Sequence, residues 1–424
     1  MKINPSKFQT YWIHSIFITS PLFFRTGDEG ISALDIIFGA YFFGSLAIWF
    51  FWKVFVKKEK IIRNIADFFI ILFPILSIGT MILSLINEVS FLNIIREYIL
   101  FSFLLYYFPI RENLQSKDAI IKLAITFSIS VIVNDIAQFY DYYHEFTRGV
   151  RYAYQIMTGQ RINQTIFTFS ILAGILALLY PQKLLSKVWL IFVVGITAMS
   201  LITTSSRTFW IIVLLGILIY LVVLPKKQKI NLMISTFLST MLIGIVIILF
   251  FQDKAQIVFK AIQIRLESTT EGKKDISVTN RFVEYDAVIN KIKENPLGGN
   301  GFSKQFVYYN SILQYSLHSI YTHNGYLFFT YRYGIPLALI YFFPIFYLFG
   351  KSIFLYIRIH DLFYKFVVLG GFTGLILLII SSVTSAQFMN RDGIFVLAIS
   401  FALVEVADYY RDEQNENKLV QKWQ

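Results

Sequence analysis

The chain has 424 residues, of which 56% are hydrophobic and 18% aromatic, and its formal net charge is +12. The hydrophobic fraction is above the roughly 45–50% that is typical of soluble domains, and the mean hydropathy is +0.61. An ordinary soluble domain is therefore excluded. The absence of cysteine excludes disulfides, thiolate metal sites and a cysteine nucleophile. The five histidines show no metal-binding spacing, so we predict no metal site.

Long apolar runs follow one another along most of the chain. Each is long enough to cross a membrane as a helix, which needs about 20 apolar residues. We therefore predict an all-α, polytopic membrane protein with about twelve transmembrane helices. The seventh and eighth runs, and the last two, are separated by so little polar sequence that they could be divided differently. The predicted spans are 8–24, 31–56, 65–86, 91–110, 119–143, 162–181, 188–205, 207–225, 230–251, 325–349, 366–388 and 391–410.

Lysine and arginine concentrate in alternate connecting segments, which favours the cytoplasm for those segments. With the N-terminus inside, the cytoplasmic segments carry about 21 such residues and the short outside loops about six. We predict that both termini are cytoplasmic, that residues 1–410 form one transmembrane domain with a large outside loop at 252–324, and that 411–424 is a short cytoplasmic tail. The positive charge is then a topological signal and indicates no nucleic-acid partner.

Cations are scarce in the predicted short outside loops, and Arg148, Arg151 and Arg207 are candidates there for substrate binding. The third outside loop, about 141–161, places Arg148 and Arg151 among several tyrosines. The next outside loop is nearly absent, because the Thr-Thr-Ser-Ser stretch at 203–206 leads directly into Arg207 at a helix start. A Ser-rich helix start followed by a guanidinium predicts an anion site. The alternative is that Arg207 reaches the lipid headgroups as an interfacial residue.

The long loop contains a second candidate for binding phosphate. Apolar residues at helical spacing predict a helix over 280–294, ended by the proline and glycines beyond it. Arg281 lies at its start, and a guanidinium is well suited to bidentate phosphate recognition. Tyr285 is a further candidate for substrate contact, and Glu284 and Asp286 are possible salt-bridge partners of Arg281. Alternatively, this is an amphipathic helix on the membrane surface whose arginine is merely solvated.

His323 lies where the polar loop meets the predicted span that begins at residue 325. Imidazole is the side chain best able to accept a proton near neutral pH, so His323 is the candidate general base. Asn324 is a candidate for substrate contact beside it. His318 is the competing histidine, but it lacks the Asn-Gly-Tyr-Leu continuation into the helix. A lone loop histidine can also be only a hydrogen-bonding surface residue.

Five short motifs in the second half of the chain carry a resemblance to a known family. They are Ser-Ser-Arg-Thr at 205–208, Asn-Arg-Phe-Val-Glu-Tyr at 280–285, Asn-Pro-Leu-Gly-Gly-Asn-Gly-Phe at 295–302, His-Asn-Gly-Tyr-Leu at 323–327 and Gly-Ile-Pro at 334–336. In this order and spacing the chain resembles the O-antigen ligase/polymerase superfamily of membrane glycosyltransferases. The family pattern often has Trp where this chain has Tyr285, and a bulky residue where it has Gly299.

The resemblance implies an enzyme that uses a glycan carried on undecaprenyl diphosphate, at the periplasmic face of the bacterial inner membrane. It implies no cofactor, no nucleotide sugar and no metal. By position, Arg207 and Arg281 would bind the diphosphate and offset the charge that develops as it leaves, and His323 would activate the acceptor hydroxyl. The expected partners are the lipid-linked glycan and membrane lipid, with a chain-length regulator as a further candidate.

Three functions remain open at this point. A Wzy-type polymerase would transfer the growing chain onto the next lipid-linked repeat unit, and a WaaL-type ligase would transfer the finished chain onto lipid A-core. We favour the polymerase, because Arg148 and Gly159 in the third outside loop have a spacing reminiscent of a polymerase motif. A non-enzymatic flippase or carrier of the same glycan is the second alternative, although such proteins usually show repeated halves and broken midplane helices.

Overall fold

The structure is a computed structural model that describes residues 7–24, 33–147, 162–250, 276–311 and 313–422, together with 260, 263–264 and 267. Its main elements are numbered here in chain order. They are α1 Lys7–Phe23, α2 Ala33–Phe51, α3 Ile65–Ile86, α4 Phe91–Tyr98, α5 Ser102–Leu105, α6 Tyr107–Asn113, α7 Lys117–Thr147, α8 Gln164–Leu179, α9 Leu184–Thr203, α10 Arg207–Val223, α11 Lys226–Phe250, α12 Ile276–Glu294, β1 Phe306–Asn310, β2 Tyr315–Ser319, α13 Gly325–Arg358, α14 Leu362–Ser381 and α15 Arg391–Lys422.

Within the described ranges, 8 helical stretches are long and apolar enough to cross a membrane. The helices α1, α8, α10 and α11 coincide with the remaining predicted spans. The all-α polytopic class is therefore confirmed, whereas the count of twelve spans remains a prediction. The 8 stretches are Ile36–Val56, Ile65–Ile86, Phe91–Asn113, Lys117–His144, Leu184–Thr203, Gly325–Arg358, Leu362–Ser381 and Arg391–Arg411.

Asparagine and aspartate side chains cap the N-termini of α3 and α14. The Asn64 side chain accepts a hydrogen bond from the Asp67 amide at 2.9 Å at the start of α3. Asp361 accepts one from the Tyr364 amide at 3.2 Å at the start of α14. Such caps satisfy backbone N–H groups that have no partner within the helix, so local sequence explains where these helices start.

Buried ion pairs fix the helix ends that lie away from the long loop. The fully buried Asp67 carboxylate accepts hydrogen bonds from Arg111 at 2.8 Å and from the Tyr107 hydroxyl at 2.6 Å. Lys351 contacts Glu405 at 2.6 Å and thereby joins α13 to α15. Removing one member of such a pair would leave the other buried without its counter-charge, which is strongly destabilising.

Within the predicted loop segment 252–324, the described residues from 276 onward form a helix and a hairpin. The predicted helix at 280–294 is confirmed as part of α12, which begins four residues earlier. An antiparallel hairpin of β1 and β2 follows it, in the register that pairs Phe306 with Ser319, and the sequence had not predicted it. Val288 of α12 packs in a small buried cluster with Phe306. The hairpin therefore holds α12 in place.

The predicted span 325–349 is wrong at its beginning. Gly334 has φ 77° and ψ 167°, which breaks α13. Phe329 and Tyr341 stack with ring centroids 4.1 Å apart, whereas twelve positions of continuous helix would separate them by about 18 Å. The chain before the break therefore folds back along the chain after it. We call residues 325–333 the short arm and residues 335–358 the long arm.

The long arm alone is long enough to span a membrane, since about 20 residues suffice. The short arm is instead a separate helix, which begins at Gly325 and ends at the break. His323 and Asn324 directly precede it. The candidate base is thus at the start of a helix that is folded against its neighbour, and not at the start of a spanning helix.

The break exposes backbone groups that the loop 296–301 satisfies. A helix that ends leaves carbonyl and N–H groups without intrahelical partners. The loop runs alongside the break and pairs with it as a short backbone ladder. The bonds run from Ile335 N to Pro296 O at 2.8 Å, from Asn300 N to Tyr331 O at 2.8 Å and from Gly301 N to Arg332 O at 3.0 Å.

Glycine is required on both sides of this ladder. A Cβ on Gly334 would lie 2.2 Å from the Leu297 carbonyl oxygen, and one on Gly299 would lie 2.4 Å from the Arg332 carbonyl oxygen. Both glycines also have positive φ, at 77° and 69°. The family pattern often has a bulky residue at this position. In this chain the backbone at Gly299 approaches the break too closely for a side chain, which explains the glycine.

Candidate functional site

Three segments that carry predicted site residues meet at the turn 382–386, which joins α14 to the short helical turn before α15. They are the start of α10, the helix α12 and the start of the short arm, and they carry Arg207, Arg281 and His323 respectively. The contacts are the Thr208 and Thr384 hydroxyls at 3.0 Å, the Tyr285 hydroxyl and the Val383 carbonyl at 3.4 Å, and the Gly325 amide and the Ser382 carbonyl at 2.7 Å.

Glu284 binds His323 at two points. One carboxylate oxygen lies 2.8 Å from the imidazole Nδ1, and the other accepts a hydrogen bond from the His323 backbone amide at 2.6 Å. Glu284 is buried, with 2% exposure, whereas the side chain of His323 is 41% exposed. The imidazole is therefore held from its inner side and open on its outer side.

This contact determines the chemistry available to the imidazole. An ionised carboxylate can only accept hydrogen bonds, so the hydrogen in the contact with Glu284 belongs to Nδ1 of His323. Nε2 then carries the lone pair, and the carboxylate stabilises the imidazolium that forms when Nε2 takes a proton. A buried carboxylate that orients an exposed imidazole is the arrangement a general base needs.

Neighbouring side chains fix the direction of the ring. Tyr321 contacts His323 edge to face with ring centroids 5.4 Å apart, and its hydroxyl accepts a hydrogen bond from the Ala386 amide at 3.3 Å.

The Asn324 side-chain oxygen accepts bonds from the amides of Tyr326 and Leu327, each at 3.0 Å. Asn324 therefore caps the short arm, and the contact with substrate predicted for it can come only from its side-chain NH₂.

Arg281, Glu284 and Tyr285 lie three and four positions apart on α12, so they share one face of the helix. Burial raises the pKa of Tyr285 to about 12, while the positive charge of Arg281 acts in the opposite direction. Tyr285 is thus a neutral hydroxyl at physiological pH. The possible salt bridge between Glu284 and Arg281 is not found among the described residues, because the Glu284 carboxylate is directed to His323.

Asn280 joins α12 to the hairpin. Its side-chain oxygen accepts a hydrogen bond from the Ser311 amide at 3.0 Å, and its NH₂ group donates to the Asn310 side chain at 3.2 Å. These bonds fix the second turn of α12, which carries Arg281.

Arg207 is the first residue of α10, as the sequence indicated. The preceding Ser206 is extended and makes no side-chain capping bond, so its hydroxyl does not occupy the first N–H groups of the helix. Ser205 has a positive φ of 54°, which turns the chain sharply into the helix. A helix N-terminus with a guanidinium at its first position favours negative charge.

Arg332 belongs to the site region, although it lies in none of the segments predicted to bind substrate. Its buried guanidinium forms an ion pair with Glu97 of α4 and donates to the Ile320 carbonyl at 3.0 Å. Ile320 lies three residues before His323, so this contact holds the segment that carries the base. An arginine inside a predicted span is costly to bury without a partner, and that signal could have identified it.

The other predicted residues lie elsewhere. Arg148 and Arg151 fall outside the described residues. His318 is exposed on β2, opposite Val307. The Glu284 carboxylate binds His323 and not His318. In the part of the chain that the structure describes, no three His, Asp or Glu side chains are grouped to hold a metal ion.

Comparison with known proteins adds one finding. Residues 192–342 match the model of a family described as O-Antigen ligase. The matched region contains Arg207, α12, the hairpin, His323 and the break at Gly334. It confirms the resemblance to the O-antigen ligase/polymerase superfamily. No curated protein sequence matches the chain.

Proposed function

We propose that this chain, an O-antigen ligase/polymerase superfamily protein, is a membrane glycosyltransferase that polymerises oligosaccharide repeat units carried on undecaprenyl diphosphate. The observation that carries the proposal is the contact between Glu284 and His323, beside the segments that bear Arg207 and Arg281. We further propose that the site faces the periplasm, in the bacterial inner membrane, with both termini in the cytoplasm. The lysine and arginine distribution supports this orientation.

The proposed reaction is a single displacement at the anomeric carbon of the donor sugar. An acceptor hydroxyl attacks this carbon, a new C–O glycosidic bond forms, and the bond from the carbon to the diphosphate oxygen breaks. The electron pair leaves with undecaprenyl diphosphate, and the acceptor proton passes to Nε2 of His323. One displacement inverts the configuration of the anomeric carbon.

The arginines act on the leaving group. Negative charge grows on the diphosphate as the C–O bond breaks, and fixed positive groups aimed at that charge lower the barrier. Arg207 has the N-terminus of α10 behind it, and Arg281 lies on the face of α12 that carries Tyr285 and Glu284. The Tyr285 hydroxyl, which donates to the Val383 carbonyl at 3.4 Å, can accept a hydrogen bond from a sugar hydroxyl, or can donate to a phosphate oxygen in place of that carbonyl.

His323 and Glu284 act on the acceptor. A positioned general base contributes roughly 10²–10⁴-fold to the rate. The buried Glu284 orients the ring and offsets the positive charge that the imidazole gains. The exposed side of the ring is where an acceptor hydroxyl can approach.

A ligase is the second candidate, and the description of the matched family favours it. The two activities share the donor and the proposed residues and differ only in the acceptor, which is another lipid-linked repeat unit for a polymerase and lipid A-core for a ligase. The acceptor therefore has to be identified by experiment.

The test is a deletion strain complemented with the gene and its variants, with lipopolysaccharide and lipid-linked glycan analysed separately. A polymerase restores long glycans on undecaprenyl diphosphate even when lipid A-core is truncated. If the protein is a ligase, the deletion strain accumulates long lipid-linked glycans, and the gene restores only their transfer to lipid A-core. If lipid-linked units instead accumulate unpolymerised on the inner side of the membrane in the deletion strain, the protein is a carrier and the proposal fails.

A further inference from the structure

A buried ion pair joins the first half of the chain to the segment that carries the candidate base. Its members are Glu97, near the end of α4, and Arg332, near the end of the short arm. The Arg332 side chain is 4% exposed and that of Glu97 is 14% exposed. Charged side chains are costly to bury in a membrane protein, and where they occur they usually serve its function. The pair is therefore a candidate for a role in the site.

The two ends of the guanidinium bind different parts of the protein. Nη1 of Arg332 forms the ion pair with Glu97, and Nη2 donates to the Ile320 carbonyl at 3.0 Å. Ile320 directly follows β2 and lies three residues before His323. One planar group thus holds α4 and the base-carrying segment at a fixed separation, which the single nitrogen of a lysine cannot do.

Glu97 has a second contact that fixes its position. Its other carboxylate oxygen accepts a hydrogen bond from the Ser303 hydroxyl at 2.5 Å. Ser303 directly follows the loop that pairs with the break at Gly334. The carboxylate is therefore bound by two separate elements, and it gives Arg332 a counter-charge in a defined place.

A row of contacting rings runs from Arg332 to the imidazole. The guanidinium carbon of Arg332 lies 4.1 Å from the ring centroid of Phe328. Phe328 contacts Tyr321 edge to face, and Tyr321 contacts His323 in the same way, each with ring centroids 5.4 Å apart. Such ring contacts have a preferred geometry. The guanidinium thus supports the imidazole through side chains as well as through the backbone.

We propose that Glu97 and Arg332 are a positioning pair for the general base, which hold the backbone before His323 so that this residue meets Glu284. The His323 amide and Nδ1 bind the Glu284 carboxylate at 2.6 and 2.8 Å, so a shift of the segment would weaken both contacts. A displacement of about 1 Å can lower a rate about 10²-fold. The proposal rests on the glycosyl transfer proposed above. It extends the site beyond the region matched by the family model, because Glu97 lies outside that region.

The decisive variant is Arg332→Lys in the purified full-length protein. It keeps the positive charge beside Glu97, so the ion pair is retained, but it removes the second N–H group that reaches Ile320. We expect turnover to fall at least about tenfold while the donor KM stays near that of the parent. Because the pair acts through the base, adding Arg332→Lys to His323→Ala should lower turnover no further. If Arg332→Lys does not fold, Glu97→Gln replaces it with the same expected results.

Arg111→Lys is the matched control. Arg111 is also a buried arginine, which pairs with Asp67 at 2.8 Å and donates to the Ile61 carbonyl at 3.2 Å, but it lies at the helix ends away from the long loop. Arg111→Lys should lower the melting temperature about as much as Arg332→Lys does and leave turnover at the parent value. An equal loss of turnover in both variants would show that the Arg332 contacts act only on stability, and it would overturn the proposal.

Hydrogen exchange measures the positioning without the reaction. The His323 amide is protected by its bond to Glu284, so Arg332→Lys should speed exchange in the peptide 319–324 about fivefold or more, and Arg111→Lys should not. Parent-like exchange or parent-like turnover of Arg332→Lys, or a further loss of turnover in the His323→Ala background, would each overturn the positioning role. If the parent transfers no lipid-linked glycan, the proposed function fails, whereas the exchange result still decides whether the pair positions His323.

Discussion

Phe329 stacks on Tyr341 with ring centroids 4.1 Å apart, although the two belong to what sequence and hydropathy present as one continuous helix. The stack exists because Gly334 reverses the chain between them. It places the start of the short arm, and with it His323, beside the turn 382–386. The position of the candidate base therefore depends on the break more than on the length of the apolar run.

The glycines of the break should contribute strongly to the stability of the protein. Gly334→Ala and Gly299→Ala each force a side chain into a positive φ, which costs about 1–2 kcal/mol, and into contact with a carbonyl oxygen. We expect both variants to have lower melting temperatures and lower yields. Gly350→Ala is the control, because nothing lies within 4 Å of its Cβ position and alanine favours a helix. A parent-like melting temperature for Gly334→Ala would show that the break is not as described.

The carboxylate of Glu284 should matter for turnover more than for donor binding. Glu284→Gln keeps the size but removes the charge that stabilises the imidazolium, so we expect turnover to fall at least about tenfold with donor KM little changed. Asp286→Asn, on an exposed part of the same helix, is the control and should retain parent activity. Parent-like turnover of Glu284→Gln at normal protein level would remove Glu284 from the mechanism.

The two arginines should not tolerate lysine. If Arg207 and Arg281 bind the diphosphate through two N–H groups each, Arg→Lys should be nearly as damaging as Arg→Ala, because an ammonium lacks the planar fork. Glycan length on gels, at matched protein level, measures this. Normal polymers from both lysine variants would mean that these arginines only contact solvent or lipid headgroups.

The predicted orientation can be tested by labelling, because the chain has no cysteine. A cysteine at Lys293, exposed on α12, should react with an impermeant maleimide in intact spheroplasts, and one at Lys227 should react only after lysis. These expectations follow from the distribution of lysine and arginine. The reverse pattern would place the candidate site in the cytoplasm and contradict the proposed function.

Sequence patterns predicted what depends on local chemistry. Apolar length predicted the helical membrane class, and helical spacing predicted α12 with Arg281 at its first turns. The break at Gly334 was not predicted, because residues 325–349 remain apolar on both sides of it. Its cause is a backbone ladder with a loop that lies more than thirty residues earlier, and no local pattern encodes such a pairing.

The role of Glu284 was missed for a similar reason. On the helix it is three positions from Arg281, so a local salt bridge was one possible interpretation, with Asp286 as the other possible partner. The structure instead directs its carboxylate to His323, which is 39 residues away in sequence. Hydrogen bonds of that range depend on how the hairpin and α12 pack, and this follows from the tertiary fold alone.

The most direct test of the proposed mechanism is the turnover of purified His323→Ala with a lipid-linked donor and acceptor, measured together with donor affinity. We expect turnover to fall by roughly 10²-fold or more while donor affinity stays near that of the parent, because the base acts on the acceptor. His318→Ala should keep most of its activity, since that side chain is exposed on β2. Parent-like turnover of His323→Ala, or loss of donor binding with turnover preserved at saturating donor, would contradict the assignment of His323 as the general base.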